Sequence, residues 1–266
     1  MRIALSQLAG GTEPAENLRL VAEQTELAAA RGADLVVFPE ATMARFGVPL
    51  APLAEPLDGP WANAVREIAR RTGVLLVAGM FTPGDRGRVR NTLLITGRGV
   101  DTHYDKLHLF DAFDFAESAT VAPGDRVVTA SLDGLTLGFA TCYDVRFPEL
   151  FDRLARRGAR VMVLPASWGA GPGKAEQWEV LVRARALDST SWVLAVGQAD
   201  PATVGDPPAT SAPTGIGHSM VVSPLGEVVA RLDGAPGLLV ADLDEAATDS
   251  ARATLPVLRN RRTDLG

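Results

Sequence analysis

Two segments of the chain repeat one another, and no other feature of the sequence constrains the fold as tightly. Ala30-Arg31-Gly32-Ala33-Asp34-Leu35-Val36-Val37-Phe38-Pro39-Glu40 is echoed by Arg156-Arg157-Gly158-Ala159-Arg160-Val161-Met162-Val163-Leu164-Pro165-Ala166. Each leaves a helical stretch through a glycine, a common helix terminator, and enters an apolar run that closes at proline. Each also has a strand and a helix before it, and a helix and a strand after it. Short aliphatic runs predict strands at 2–7, 34–39, 74–80, 91–96, 135–141, 161–165, 192–198, 218–223, 227–232 and 237–243. Helical spacing covers 13–31, 60–71, 148–157 and 175–189, the first three stopping at Gly32, Gly73 and Gly158. Helices between strands imply crossover connections and buried sheets. Two related halves, each a sheet with helices on one face, can bury their open faces on one another. The expected architecture is α/β: a four-layer α-β-β-α sandwich spanning 1–266 as one domain.

Composition removes several function classes. Lys plus Arg number 26 against 32 Asp plus Glu, a net charge of −6, and the longest basic cluster is Arg259 to Arg262. That balance argues against nucleic acid as a partner. The longest uncharged stretch, around 207–226, is rich in Pro, Thr, Ser and Gly and suits no membrane span. The apolar start at Met1 gives way at once to Ser6 and Gln7, too short for a signal peptide. A single cysteine, Cys142, excludes an intrachain disulfide and any cysteine-cluster metal site. The expectation is a cytoplasmic protein with no metal. The segment 199–214, with four prolines, reads as a surface loop or a functional one.

Few residues stand out chemically. Cys142 ends the 135–141 run just before a turn into Phe147-Pro148-Glu149. There it is either a nucleophile exposed at the sheet edge near helix-terminal N–H groups or a buried structural thiol. A thiol with a pKa of about 8.5 needs a base at neutral pH. The chain offers three histidines and a few carboxylates at strand ends. Glu40, closing the apolar run 35–39, is an edge charge or a base raised by burial. Lys106, in His103-Tyr104-Asp105-Lys106-Leu107-His108-Leu109-Phe110, and Glu117, in Phe113-Asp114-Phe115-Ala116-Glu117-Ser118, read singly as ordinary surface charges.

Their arrangement resembles the nitrilase, or carbon–nitrogen hydrolase, superfamily. Phe38-Pro39-Glu40, Asp105-Lys106-Leu107-His108-Leu109-Phe110 and Cys142-Tyr143-Asp144-Val145-Arg146-Phe147-Pro148-Glu149 look like its three signature blocks, in the same order. The resemblance implies a Glu–Lys–Cys triad on a four-layer sandwich. Glu40 would be general base, Lys106 electrostatic stabiliser and Cys142 nucleophile. Glu117 matches a second glutamate that positions substrate and Lys106. The Lys106 ammonium and the Tyr143 backbone N–H would hold the oxyanion, and no cofactor is required. Tyr143-Asp144 after the cysteine is similar to the branch containing omega-amidases and deaminated-glutathione amidases, where nitrile hydrolases typically carry Trp-Glu.

The implied reaction is hydrolysis of a small carboxylate-bearing amide to acid and ammonia through a thioester. Tyr143, Arg146 and Trp168 are the expected substrate contacts. Arg146 would bind the substrate carboxylate or, alternatively, pair structurally with Asp144 or Glu149. N-carbamoyl amino acid hydrolysis, nitrile hydrolysis and non-catalytic binding on the same scaffold are the competing functions. The resemblance further implies a homodimer or a higher homo-oligomer. Two stretches depart from that branch. Gly171-Pro172-Gly173-Lys174-Ala175-Glu176-Gln177-Trp178 stands where the branch has Thr-Gly-Pro-Ala-His-Trp, and the 199–214 loop is long.

Overall fold

Alternation along each strand decides which side chain meets which layer. A computed structural model describes residues 1–112, 115–206 and 210–262. The first half comprises β1 (Arg2–Gln7), α1 (Pro14–Ala30), β2 (Leu35–Val37), α2 (Pro60–Thr72), β3 (Leu75–Pro83), β4 (Val89–Gly97) and β5 (Val100–Asp105). A two-stranded ribbon, β6 (Asp111–Ala112) and β7 (Phe115–Ala116), follows. The second half contains β8 (Thr129–Leu132), β9 (Leu135–Phe139), α3 (Pro148–Arg156), β10 (Val161–Ala166), α4 (Lys174–Ser189), β11 (Trp192–Gly197), β12 (Met220–Val222) and β13 (Val228–Arg231). The chain then returns as β14 (Gly237–Asp242), α5 (Ala247–Thr254) and α6 (Val257–Asn260).

The two six-stranded sheets have the same topology, in the orders β14-β1-β2-β3-β4-β5 and β8-β9-β10-β11-β12-β13. In each, three parallel strands are flanked by an antiparallel strand on one side and two on the other. β2 and β10 hold the same place, so the sequence echo is a structural repeat. The β14 that completes the first sheet comes from the end of the chain and ties the halves together.

Ile3, Leu5, Leu35, Val37, Leu75 and Val77 face Leu137, Phe139, Val161, Val163, Leu194 and Val196 between the sheets. The alternate residues Ala4, Val36, Phe38 and Leu76 turn outward onto Val21, Ala28, Trp61, Val65 and Ile68 of α1 and α2. Met162, Leu164, Val193 and Ala195 pack in the same way on Phe151, Leu154, Trp178 and Val182 of α3 and α4. Period-two alternation facing 3.6-period helices yields the α-β-β-α sandwich. Each such aliphatic side chain contributes about 1.5–3 kcal/mol when fully buried. α2 shows how local signals set the boundaries. Pro60 occupies its first turn, where no N–H is needed, and Gly73 ends it in the left-handed region at φ 72°.

Several elements escaped the apolar pattern. β5 and β8 are edge strands of mixed polarity, and β6 and β7 have only two residues each. α5 and α6 are short and largely polar. The 34–39 strand pairs over Leu35–Val37 only, although Phe38 N still donates to Val77 O at 2.8 Å. The 199–214 loop is anchored at several points. Residues 201–204 form a helical turn, Ala199 N donates to Leu8 O (2.6 Å), and Arg45 pairs with Asp206 (2.7 Å). Pro213 O accepts from Ser167 Oγ at 2.7 Å. Its Pro207, Pro208 and Ala209, like Phe113 and Asp114 ahead of Glu117, lie outside the described residues.

Candidate active site

Strand ends of both halves converge where the sheets face one another. Glu40 follows β2, Lys106 follows β5, Glu117 follows β7 and Cys142 follows β9, while Ser167 follows β10. The carboxyl ends of parallel strands are the usual place for chemistry in such sheets. Two backbone features hold the carboxylate and the thiol in place. Ala41 and Cys142 adopt left-handed conformations at φ 56° and 48°, which cost side-chain-bearing residues strain and mark sites held by their surroundings. The Glu40 turn crosses β3 at Gly79, where a Cβ would sit 2.7 Å from Ala41 N and 2.8 Å from Pro39 O. Any larger residue there would displace Glu40.

The side chains form one connected network. Lys106 Nζ donates to Glu40 Oε1 at 2.9 Å and to Glu117 Oε2 at 2.8 Å. Asn91 on β4 bridges the same two carboxylates, its Nδ2 lying 2.7 Å from Glu40 Oε1 and 3.1 Å from Glu117 Oε1. Backbone N–H groups complete the set, Ser167 N to Glu40 Oε2 and Phe110 N to Glu117 Oε2, each at 2.7 Å. The thiol of Cys142 faces Ser167 O at 3.8 Å. Glu40, Lys106 and Glu117 are 1–2% exposed, so these are charges removed from water. Such groups are tolerable only when paired and hydrogen-bonded, as these are. Asn91 Oδ1 has no partner among the described residues. A buried unpaired acceptor costs about 1–3 kcal/mol, which the two hydrogen bonds donated by Asn91 to charged carboxylates offset.

Burial and charge act in opposite directions here. Burial alone would lower the Lys106 ammonium, but Glu117 and Glu40 outweigh it and hold the group well above the ordinary lysine range. Lys106 is a permanent cation. Burial pushes the Cys142 thiol well up, and the negative Glu40 pushes it further, against the opposing pull of Lys106. The thiol is buried at 6% exposure, not presented at the sheet edge, and it rests protonated at neutral pH. Attack therefore requires a base in contact, and Glu40 is the carboxylate beside it.

Asp144 organises the turn around the thiol. It is fully buried and accepts from Tyr104 Oη (2.6 Å), Thr141 N (2.8 Å) and His108 N (3.0 Å), with His108 Nδ1 at 2.7 Å. His108 stacks flat on Phe147, ring centroids 3.7 Å apart. These contacts fasten the Cys142 turn to the segment carrying Lys106. The first hydrogen bond within that turn runs from Asp144 N to Thr141 O at 3.0 Å. The Tyr143 N–H lies ahead of it, where helical turns leave donors for other partners.

A pocket opens above the thiol, walled by Phe46, Phe110, Phe115, Tyr143, Trp168 and Pro213, with Arg146 and Lys174 as further lining. All the expected site residues thus meet in one cavity. Among the described residues Arg146 pairs with neither Asp144 nor Glu149. Its Nη2 donates to Gln177 Oε1 at 3.0 Å, and its guanidinium lies 5.2 Å from the Trp168 ring centroid and 6.0 Å from that of Tyr143. The sequence gives no sign of the roles of Asn91 and Ser167, and marks Asp144 only as a branch residue and a possible partner of Arg146. Asn91 sat in a predicted strand but gave no sign of its partners, which lie 51 and 26 residues away. Among the described residues no group of His, Cys, Asp and Glu could hold a metal ion, and no helix is long and apolar enough to cross a membrane.

Comparison with known proteins places this cavity in a family. The carbon-nitrogen hydrolase family model matches residues 2–253. A hydrolase of Mycobacterium tuberculosis is 56% identical, covering 98% of this chain and 95% of its own length. The deaminated glutathione amidase of Escherichia coli O157:H7 is 33% identical, covering 98% and 97%. Among solved structures, a glutamate variant of an amidase from Nesterenkonia superimposes with a TM-score of 0.82 at 27% identity, covering 100% of this chain and 95% of that one. That structure carries the acetamide moiety of fluoroacetamide covalently added at its active-site cysteine. With the sandwich fold and this coverage, the chain belongs to the carbon-nitrogen hydrolase family and is a carbon–nitrogen hydrolase of amidase type.

Proposed function

We propose that the protein is a cysteine-dependent amidase converting a small carboxylate-bearing amide to the acid and ammonia. The observation that carries this reading is the convergence of Glu40, Lys106 and Glu117 beside a buried, protonated Cys142 under a pocket lined by Arg146. Glu40 removes the thiol proton as Sγ attacks the amide carbonyl. The oxyanion meets the Lys106 ammonium and the Tyr143 N–H. Removing one such donor typically costs about 2.7–4 kcal/mol of barrier lowering. Glu40 then hands its proton to the departing nitrogen, ammonia leaves, and a thioester remains. Water, deprotonated by Glu40, attacks the thioester and releases the acid and the thiol. The formal charge over Glu40, Lys106, Glu117 and Cys142 stays the same when the proton moves from sulfur to Glu40. A site from which water is excluded favours such a charge-conserving step. The covalent adduct on the cysteine of the Nesterenkonia amidase supports the nucleophile assignment, and the name of the E. coli relative supports an amide substrate.

Arg146 is the proposed carboxylate contact, over the Trp168 ring and held by Gln177. Arg146→Met should remove a charge-assisted interaction of about 1.5–3 kcal/mol, or about 10- to 150-fold in kcat/KM for an acidic amide. A neutral amide should barely change. The check is ammonia release from succinamate and from butyramide, beside a melting curve. N-carbamoyl amino acids and nitriles in the same panel test the neighbouring chemistries. Equal loss on both amides with a lower melting temperature would make Arg146 structural.

A further inference from the structure

Asn91 touches Lys106, Glu40 and Glu117 at once. It lies on β4, 1% exposed, and its backbone carbonyl accepts from Lys106 N at 2.9 Å. Its side-chain Nδ2 sits between the two carboxylates, 2.7 Å from Glu40 Oε1 and 3.1 Å from Glu117 Oε1. Charge fixes that orientation. Turned over, the amide would set Oδ1 against two carboxylate oxygens. The NH2 therefore faces them, and Oδ1 turns away without a partner among the described residues.

The consequence falls on Glu40. A carboxylate has about four acceptor sites, two on each oxygen. Lys106 Nζ and Asn91 Nδ2 take both sites of Oε1, and Ser167 N takes one site of Oε2 at 2.7 Å. Among the described residues the site left open is on Oε2. Ser167 ties that oxygen to the thiol: its carbonyl faces Cys142 Sγ at 3.8 Å while its N–H meets Oε2. Without Asn91, one site of Oε1 would stand open beside the Lys106 ammonium, where a proton meets a positive charge. The carboxylate would also be freer to turn and present either oxygen.

We propose that Asn91 is a positioning residue that selects the basic oxygen of Glu40, filling Oε1 so that the thiol proton goes to Oε2. The S–H bond breaks and an O–H bond forms at Oε2 as Sγ bonds the amide carbon. The same proton later passes from Oε2 to the departing nitrogen. This rests on the reading of Glu40 as base and Cys142 as nucleophile, and it adds the residue that aims the base.

Ammonia release from succinamate by Asn91→Leu, close in size but without a donor, and by Asn91→Ala tests this. Each should lower kcat by about tenfold or more. Succinamate affinity, measured by calorimetry in a Cys142→Ala background that cannot turn it over, should change by less than about threefold. Combined with Glu40→Gln, neither substitution should lower kcat further, because the choice of oxygen matters only where a carboxylate is present. A packing role predicts that affinity falls together with kcat and that the double loss is the product of the single ones. Either result overturns the proposal, as does a kcat within about threefold of wild type. Hydrolysis of p-nitrophenyl acetate separates this from the amide reading, since it needs the thiol and its base but no amide. The same Asn91 pattern on the ester, with no ammonia from succinamate, would remove the substrate and leave the Asn91 assignment standing. No turnover of either compound by wild type would overturn both.

Discussion

Glu40→Gln and Lys106→Met should each lower kcat by at least about 10²-fold, and the double variant should be little worse than either. The expectation follows from shared atoms. Glu40 Oε1 accepts from both Lys106 Nζ and Asn91 Nδ2, while Oε2 accepts from Ser167 N. A glutamine amide at this position must set its NH2 against existing donors whichever way it turns, so the base is lost and the cation displaced together. Lys106→Met in turn leaves Glu40 and Glu117 facing one another without their common counter-charge. Once either member is gone, the other has little left to contribute. Steady-state kinetics on the two single variants and the double variant measure this coupling. If the losses multiply, the two residues act independently and the coupled site is wrong.

Asp144→Ala should produce the largest loss of stability. Its carboxylate is fully buried and receives hydrogen bonds from a phenol and two backbone N–H groups, with the His108 ring at its side. Deleting it strands those donors where water cannot replace it, at about 3–5 kcal/mol by analogy with broken buried pairs. The same deletion frees the turn that holds Cys142 in its left-handed conformation, so activity should fall with stability. Urea denaturation reads the first effect and ammonia release at low temperature, where the variant remains folded, reads the second. A midpoint close to wild type would show that Asp144 does not anchor the turn.

What could be read from the sequence followed from physical range. The repeat at 30–40 and 156–166 predicted two matching halves because strand periodicity and helix-ending glycines are local signals. It also shows where the halves diverge: Glu40, beyond β2, and Ala166, the last residue of β10, match in the repeat, so only one half carries the carboxylate. The motif blocks located Glu40, Lys106 and Cys142. The contacts that fix them did not announce themselves. Asn91 reads as one polar residue in an aliphatic strand, and its meaning lies in the β3–β4–β5 register that brings it beside Lys106 and Glu40. Arg146 reads from the sequence as either a carboxylate contact or a structural ion pair, and its position over Trp168 and beside Gln177 depends on contacts the sequence does not show. Edge strands β5 and β8 were missed for a related reason. A strand with one side exposed need not carry an apolar run.

The central claim is that Cys142 is the nucleophile, and as the chain's only thiol it can be titrated without ambiguity. Treating the native enzyme with one equivalent of iodoacetamide, and following intact mass and ammonia release together, tests it directly. Activity should fall in proportion to a single adduct, with the modification confined to the peptide holding Cys142. Full activity after complete alkylation of Cys142 would contradict it.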